Sequence, residues 1–270
     1  MDHHSRGDYS CSGAGQESFL SERFAGKKPA QLASFHGNFL ILPISHREYT
    51  INTMTKRIIV VAGNIGAGKT SLTERLGARL GWQTAFESVA DNPYLPDFYA
   101  NMRAWSFHLQ IFFLGHRAQQ YLDLARSPRS AILDRSIYED AHIFARALHH
   151  LGNIDERDYL AYRRVFDLLV ATLPPPNLLI YLKAPVSVLM KRIRKRGRSI
   201  ESGITEEYLS LLESFYTDWI ASFDLCPVLT IHTGKLGDES PLDFVHNNQH
   251  LDIVLERIQD KLAGKEDVVF

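Results

Sequence analysis

The segment from residue 57 to residue 70 constrains the fold of this 270-residue chain more than any other part. A short apolar run, RIIVVA, leads directly into the sequence GNIGAGKT, and helical spacing follows it. The eight residues satisfy the pattern G-x-x-x-x-G-K-[ST] in the strand–loop–helix context that a phosphate-binding loop requires. Glycines let backbone N–H groups turn inward around an anion, and the N-terminus of the following helix adds the positive end of its dipole. The segment therefore predicts a nucleotide-binding site at the end of a buried strand.

Every position of this loop is a candidate ligand of the nucleotide. The loop comprises Gly63, Asn64, Ile65, Gly66, Ala67, Gly68, Lys69 and Thr70. Lys69 supplies a mobile cation for the β- and γ-phosphates of ATP, and the Thr70 hydroxyl can ligate Mg²⁺. The pattern alone does not separate a kinase from an ATPase or a GTPase.

Beyond the loop, short apolar runs alternate with longer stretches of helical spacing. The runs predict strands at residues 57–62, 82–86, 130–133, 177–182 and 228–231. Helical spacing lies near residues 70–80, 104–125, 138–150, 155–172, 185–195, 204–222 and 249–263. Because strands alternating with helices indicate a parallel sheet covered on both faces, we expect one doubly wound α/β domain at residues 54–270, with a five-stranded parallel sheet.

Residues 1–53 differ in composition from the rest of the chain. They are rich in Ser, Gly and His, carry as many acids as bases, and lack sustained periodicity. This composition predicts a mostly disordered extension. An upstream start or a leader, with the working protein beginning near Met54, would explain the pattern; a regulatory or targeting arm is the alternative.

Charge and cysteine content exclude several classes of protein. Thirty Lys and Arg residues against 31 Asp and Glu give a net charge of −1, so bulk attraction to nucleic acid or to an anionic membrane is not expected. Two cysteines, Cys11 and Cys226, rule out a disulfide scaffold or a thiol-rich metal site and suit a reducing, cytoplasmic compartment. No apolar run approaches the roughly 20 residues of a membrane helix.

Glu87 directly follows the second predicted strand. Residues just beyond the carboxyl ends of parallel strands face the ligand crevice of such a sheet. A carboxylate there can accept the proton of an attacking hydroxyl group. A solvated loop acid is the alternative interpretation.

The helix predicted at residues 104–125 carries polar residues in an apolar stripe. Gln110, Phe113 and Arg117 share one of its faces. An amide, an aromatic ring and a guanidinium group in one stripe can read the edge and the face of a nucleobase. Such a stripe is more often simply core, but buried polar groups need partners.

The third predicted strand ends in the sequence LDRSIYED. Asp134 is placed as a second Mg²⁺ ligand beside the loop, and Arg135 could bridge Glu87 and the transferred phosphoryl group. Asp140 and Phe144 lie four residues apart on the next helix. A salt bridge from Asp140 to Arg117 would orient that arginine, whereas the alternative for Asp140 is an interaction with the helix dipole.

Six cations occupy eight positions in the run at residues 191–198. A solvated helix face and a nucleic-acid patch are the plain interpretations of such a run. Together with a phosphate-binding loop, its position after the fourth strand favours an arginine-rich lid that closes over a triphosphate.

These segments together resemble the deoxynucleoside kinase family, which includes deoxycytidine, deoxyguanosine and deoxyadenosine kinases. The likeness rests on GNIGAGKT, the glutamate after the second strand, the helix with Trp105 and Gln110, LDRSIYED and the lid RIRKRGRSIESG. It spans residues 57–263 in matching order. The resemblance implies a P-loop kinase fold, transfer of the γ-phosphoryl group of ATP to the 5′-hydroxyl of a deoxynucleoside with Mg²⁺, and a homodimer.

The resemblance also implies roles for individual positions. They are the general base Glu87, the sugar 3′-hydroxyl pair Tyr99 and Glu201, the base-reading Gln110, the pair Arg117 and Asp140, the stacking Phe144, the 5′-oxygen arginine Arg135, the lid arginines Arg192, Arg196 and Arg198, and the donor-base segment of Asp243 and Phe244.

Two departures from the family pattern bear on the substrate. Asp134 stands where animal members usually have Glu, and Phe113 is bulky where animal deoxycytidine kinase has a small residue. The run DNPYLPDFY resembles bacterial members, several of which act on deoxyadenosine or deoxyguanosine. The Arg117–Asp140 pair argues against a thymidine specialist and leaves deoxyadenosine, deoxyguanosine and deoxycytidine open.

Two rival functions share the phosphate-binding loop. The first is a nucleoside monophosphate kinase resembling thymidylate kinase, although an acid at position 87 would repel an acceptor phosphate. The second is a regulatory ATPase or GTPase that phosphorylates no small molecule. The chain contains no Asn-Lys-x-Asp guanine motif, which argues against the GTPase version.

Overall fold

A computed structural model of the chain describes residues 55–86, 92–198, 201–234 and 242–265. The predicted extension at residues 1–53 and the candidate base Glu87 lie outside these residues. Among the helices that are described, none is long and apolar enough to cross a bilayer.

The centre of the fold is a five-stranded sheet in which every strand is parallel to its neighbours, as predicted. Its strands are β1 (Ile58–Gly63), β2 (Gln83–Ala85), β3 (Ala131–Asp134), β4 (Leu178–Lys183) and β5 (Val228–His232). Their spatial order is β2-β3-β1-β4-β5. Because β1 occupies the middle, the loop that follows it opens at the centre of the sheet edge, where ligands of such folds bind.

Helices cover both faces of this sheet. They are α1 (Lys69–Leu80), α2 (Leu95–Ala100), α3 (Met102–Arg126), α4 (Ile137–Glu139), the π-helical segment Asp140–Ala145, α5 (Arg146–His150), α6 (Glu156–Thr172), α7 (Val186–Arg196), α8 (Glu206–Ser222) and α9 (Asn248–Leu262). Side chains of a strand alternate between faces, and β1 follows this rule. Val60 packs in one apolar cluster with Trp219 of α8, whereas Val61 packs in another with Leu72 of α1. The chain therefore has the doubly wound α/β architecture.

Two local features differ from the predicted elements. Helix α2 was not expected, because Pro93 and Pro96 interrupt its periodicity; Pro96 lies in the first turn, where a missing N–H costs no helical hydrogen bond. The predicted helix at residues 138–150 contains the π-helical segment, which apolar spacing does not reveal. Such segments are frequent at functional sites.

Candidate active site

The loop after β1 takes the shape that its glycines permit. Gly63 has a φ of +148°, and a side chain there would begin 2.6 Å from the carbonyl oxygen of Leu182 in β4. The loop then turns through a hydrogen bond of 3.1 Å from the Ala67 N–H to the Asn64 carbonyl. Gly68 enters α1 with a φ of +101°, which other residues rarely adopt.

Lys69 lies inside this loop and is only 6% exposed. Its Nζ donates to the carbonyl of Gly63 at 2.7 Å and to that of Asn64 at 3.0 Å. The ammonium group is therefore held at the centre of the loop, within reach of any phosphate that the loop binds.

The Thr70 hydroxyl and the Asp134 carboxylate meet beside the loop. Parallel pairing places Asp134 opposite Val61, and Thr70 Oγ1 donates to Asp134 Oδ2 at 2.5 Å. The other oxygen, Oδ1, is buried and accepts no hydrogen bond from the described residues. Mg²⁺ prefers oxygen ligands of this kind, so the pair fits the predicted metal site.

Arg135 follows β3 in a strained conformation. Its φ of +76° is the single positive value among the described residues other than glycine. The N–H of this strained residue donates a hydrogen bond of 3.0 Å to the Val61 carbonyl. Its guanidinium carbon lies 4.4 Å from the centre of the Phe144 ring. Backbone strain of this kind is frequent at functional sites. Here the strained residue, Arg135, contacts Phe144, a second predicted site residue.

The predicted ion pair between Arg117 and Asp140 is present and buried. Arg117 Nε lies 2.7 Å from Asp140 Oδ2, and the two side chains are 5% and 4% exposed. The ring of Phe113 lies 5.6 Å from the guanidinium carbon of Arg117. Asp140 therefore pairs with a side chain across the site, and its interaction is not limited to the dipole of its own helix.

Gln110 is buried on the same face of α3. Its Oε1 atom accepts no hydrogen bond from any residue in the described part of the chain. Because an unsatisfied buried acceptor is costly, the position is explained better by a ligand than by packing.

An apolar wall borders these polar groups. Phe98, Leu109, Leu148 and Ile154 form a small buried cluster against which Trp105 and Phe113 pack. The ring of Tyr99 is half exposed and contacts Phe98 at 5.2 Å between centroids. An aromatic surface with buried amide and guanidinium groups suits the face and edge of a nucleobase.

The lid arginines divide into two groups. Arg192 donates to the carbonyl oxygens of Gly66 and Ala67, and to the hydroxyl and carbonyl of Thr233. Burial lowers its pKa, and the charge of Asp243 partly offsets that effect. Arg192 thus supports the outer side of the phosphate loop.

Arg196 and Arg198 surround Glu201. Arg196 makes two hydrogen bonds to its carboxylate, at 3.0 and 2.5 Å, and Arg198 lies 3.8 Å from it. The sugar-binding role of Glu201 beside Tyr99 stays a prediction, because the partners found for the carboxylate belong to the lid.

The segment of Asp243 and Phe244 lies beside the phosphate-binding loop, and its contact with the base of the donor stays a prediction. Phe244 is buried, and a side chain at Gly68 would meet its ring at 3.6 Å. The Asp243 carboxylate accepts backbone hydrogen bonds from Val245 and His246 at 3.2 and 3.1 Å.

Three further residues lie at the site although no role was predicted for them from the sequence. Glu139 is completely buried and accepts hydrogen bonds from the Gly63 N–H at 3.2 Å and the Tyr216 hydroxyl at 2.6 Å. Burial raises the pKa of Glu139, against smaller effects of Arg135 and Lys69. Tyr208 also lies near the site: burial raises its pKa to about 12, and the charges of Arg135 and Tyr99 act on it. For these three residues the one available signal was an acidic residue inside an otherwise buried segment. That signal identifies Glu139 but neither of the two tyrosines.

Comparison with known proteins agrees with this geometry. A family model described as deoxynucleoside kinase matches residues 59–263. The deoxyadenosine/deoxycytidine kinase of Bacillus subtilis is 38% identical over 205 residues, which cover 71% of this chain and 94% of that protein. The deoxyguanosine kinase of the same bacterium is 35% identical over 210 residues, which cover 77% of this chain and 99% of that protein.

A solved structure has the same fold. The deoxyadenosine kinase of M. mycoides with bound dATP superposes with a TM-score of 0.62 at 27% identity, covering 74% of this chain and 98% of the other. The match of the family model extends from β1 through α9, and so includes the whole described sheet and its helices. The chain therefore belongs to the deoxynucleoside kinase family.

Proposed function

We propose that this deoxynucleoside kinase transfers the γ-phosphoryl group of ATP to the 5′-hydroxyl of deoxyadenosine or deoxyguanosine, with deoxycytidine as a further acceptor. One observation carries the preference for a base with an exocyclic amino group over thymine. The Gln110 amide and the buried Arg117–Asp140 pair lie on one apolar-walled face, with an amide oxygen that has no donor among the described residues. Adenine and cytosine, and guanine at another position, offer an amino group to such an acceptor.

The donor site is assigned to the loop after β1 and to the lid. Backbone N–H groups of residues 63–70 and the Lys69 ammonium would hold the β- and γ-phosphates. Arg196 and Arg198 would neutralise charge on the transferred group after leaving Glu201. The Thr70 hydroxyl and the Asp134 carboxylate would hold Mg²⁺, which when bound screens the charge of the phosphate oxygens.

We assign to Glu87 the role of the general base that takes the proton of the acceptor hydroxyl. Ala85 pairs with Leu133, so the chain leaves β2 at the same sheet edge at which β3 delivers Asp134 and Arg135. Position and charge carry most of the rate in phosphoryl transfer, and the protein supplies little covalent chemistry.

Glu87→Gln should lose several orders of magnitude in turnover while still binding deoxynucleoside. Near-normal turnover in that variant would remove Glu87 from this role.

A screen of acceptors tests the proposed reaction. The four deoxynucleosides and dTMP would each be incubated with the purified chain, ATP and Mg²⁺, and the 5′-monophosphates or dTDP quantified. We expect deoxyadenosine and deoxyguanosine to be converted fastest and thymidine and dTMP to remain unchanged. Conversion of dTMP would support the monophosphate kinase instead, and ATP hydrolysis independent of every nucleoside would support the regulatory ATPase.

We also infer a homodimer formed through α3 and α6. Leu168, Val165 and Leu160 on α6 are 65%, 46% and 49% exposed. Beside them lies an apolar groove lined by Ile111, Leu114, Gly115, Ala118, Gln119, Leu122, Val165 and Leu169. Exposed apolar surface of this kind marks interaction sites, and the resemblance to the family names a second copy as the partner.

A reducing, cytoplasmic compartment is part of the proposal. Cys226 carries a free thiol, and burial raises its pKa to about 12. A protonated, half-buried thiol is poorly suited to form disulfides. Fractionation of cells that express the chain would test the compartment.

A further inference from the structure

A buried pair of polar side chains holds the first residue of the phosphate loop from beneath. Glu139 and Tyr216 are both fully buried, and Tyr216 comes from α8, 77 residues further along the chain. The Gly63 N–H donates to Glu139 Oε1 at 3.2 Å, and the Tyr216 hydroxyl lies 2.8 Å from the Gly63 carbonyl oxygen. The same hydroxyl lies 2.6 Å from Glu139 Oε1. Both backbone polar groups of Gly63 are thus engaged by one hydrogen-bonded pair.

Lys69 uses the same carbonyl oxygen. Its Nζ donates to Gly63 O at 2.7 Å, so Lys69 and Tyr216 converge on one acceptor. A phosphate bound in the loop draws the ammonium group towards its own oxygens, away from the loop carbonyls. A buried carbonyl oxygen that loses its donors carries a desolvation cost. Tyr216 lowers that cost, because its one hydroxyl proton lies between Gly63 O and Glu139 Oε1 and can turn towards Gly63 O when Lys69 leaves.

We propose that Glu139 and Tyr216 are positioning residues for the ATP site: they hold both backbone groups of Gly63, and so release Lys69 to the phosphates without loss of loop shape. This inference rests on the proposed function only to the extent that the loop binds ATP. Neither side chain touches the reacting atoms.

An ordinary core would not place these groups here. A carboxylate in an apolar core is strongly unfavourable unless it is paired and hydrogen-bonded. Glu139 keeps its place between two donors and near the positive charges of Arg135 and Lys69. The second oxygen, Oε2, accepts no hydrogen bond from the described residues, so the position is not optimised for packing alone.

Helix α8 reaches the loop at a second point. The Asn64 amide donates to the Leu209 carbonyl at 3.0 Å and to Glu213 at 3.2 Å, and Glu213 accepts from Tyr181 at 2.7 Å. Since α8 is fixed to the loop through Asn64 as well, the loss of the Tyr216 hydroxyl alone should leave the helix in place. Tyr216→Phe therefore removes the hydroxyl that Gly63 O and Glu139 Oε1 share, without releasing α8 from the loop.

The closing experiment compares Tyr216→Phe with Tyr121→Phe. Tyr121 is also buried, and its hydroxyl donates to the Pro174 carbonyl at 2.8 Å, so the control variant also loses a buried hydroxyl that binds a backbone carbonyl, but one outside the phosphate loop. Calorimetric titration would give the dissociation constants of ATP·Mg and, separately, of deoxyadenosine. We expect about a tenfold weaker ATP affinity for Tyr216→Phe, unchanged deoxyadenosine affinity, and neither change for Tyr121→Phe. In steady-state kinetics, KM for ATP should rise while kcat stays nearly constant, because the variant weakens ATP binding and leaves the chemical step unchanged.

Glu139→Gln gives the second arm. It should also weaken ATP binding, and the double variant with Tyr216→Phe should lose less than the product of the two single losses, because the side chains act on one residue. Equal ATP affinities in the Tyr216→Phe and Tyr121→Phe variants, or losses that simply multiply, would overturn the inference. ATP binding is read without an acceptor, so a wild-type chain that binds ATP but phosphorylates no deoxynucleoside refutes the proposed function and leaves this test intact.

Discussion

Gln110 is a residue whose identity packing does not explain. Its neighbours Leu109 and Leu114 serve the core, and its own buried amide oxygen accepts no hydrogen bond from the described residues. A buried acceptor without a donor opposes folding, and a bound nucleobase would supply this atom with a partner.

Gln110→Leu should therefore separate stability from binding. We expect the free energy of unfolding to stay equal or rise by about 1 kcal/mol, because an unsatisfied polar group is removed. The dissociation constant of deoxyadenosine should rise roughly 10- to 100-fold. Urea denaturation and calorimetric titration measure the two effects. Gln249→Leu, at an exposed position of α9, is the control and should leave deoxyadenosine affinity unchanged.

His142 makes stability depend on pH. Burial, helped by the charges of Arg163 and Arg146, lowers its pKa from 6.5 to about 4. Its ring stacks on Trp219, with centroids 5.9 Å apart, and meets the edge of Phe166. Between pH 6.5 and about 4 the unfolded chain binds the extra proton and the folded chain does not, so folding weakens as pH falls through this range.

We expect this histidine to contribute a loss on the order of 2 kcal/mol across that range, after allowance for solvent screening. His142→Phe keeps an aromatic ring on Trp219 and should make the pH dependence of urea unfolding shallower between pH 6.5 and 4. An unchanged slope in the variant would assign the pH dependence to other groups.

At the scale of secondary-structure elements, the carboxyl ends of β1 and β3 supply the residues of the proposed donor site. Their register places Asp134 opposite Val61, two residues before the loop begins, and the Thr70 hydroxyl meets it across the start of α1. The contact between Thr70 and Asp134 follows from the parallel strand order with β1 at the centre, and does not depend on any single residue.

Asp134→Asn should test that arrangement. The amide keeps the size of the side chain and removes the negative charge, so we expect the Mg²⁺ concentration for half-maximal turnover to rise about tenfold. Titrating Mg²⁺ at saturating ATP measures it. Deoxynucleoside affinity serves as the internal control, and an unchanged Mg²⁺ requirement would exclude Asp134 from the metal site.

The elements also show how far a sequence can be interpreted. Strands and most helices were predictable because apolar spacing is a local property. The Arg117–Asp140 pair was predictable because Arg117 shares an apolar helix face and needs a partner, and the resemblance to the family indicates Asp140. Glu139 and Tyr216 were not predictable as partners, since nothing local relates two positions 77 residues apart. The π-helical segment was equally hidden, because one extra residue per turn leaves no compositional trace.

At the scale of the whole molecule, α6 presents an exposed apolar face in the described part of the chain, after helices have covered the sheet. Helices α3 and α6 pack on the sheet with their buried sides, yet Leu168 of α6 is 65% exposed. A face of this kind is unfavourable in water unless it is covered.

Leu168→Glu should shift the inferred dimer towards monomer. A carboxylate placed in an apolar interface must be desolvated on both copies of the chain, which opposes association. Sedimentation velocity at several concentrations would measure the change. Leu225→Glu, at an exposed position on the chain after α8, is the matched control and should sediment as the wild type does. A monomeric wild-type chain would contradict the proposed interface.

Arg192 has a mechanical consequence for how the enzyme encloses its donor. Its guanidinium group ties the middle of α7 to the back of the phosphate loop and to Thr233 at the end of β5. A helix anchored there cannot swing as a rigid arm from the sheet. We expect closure of the proposed lid to be confined to the last turn of α7 and the segment that follows it, with Gly197, at a φ of +63°, as the pivot.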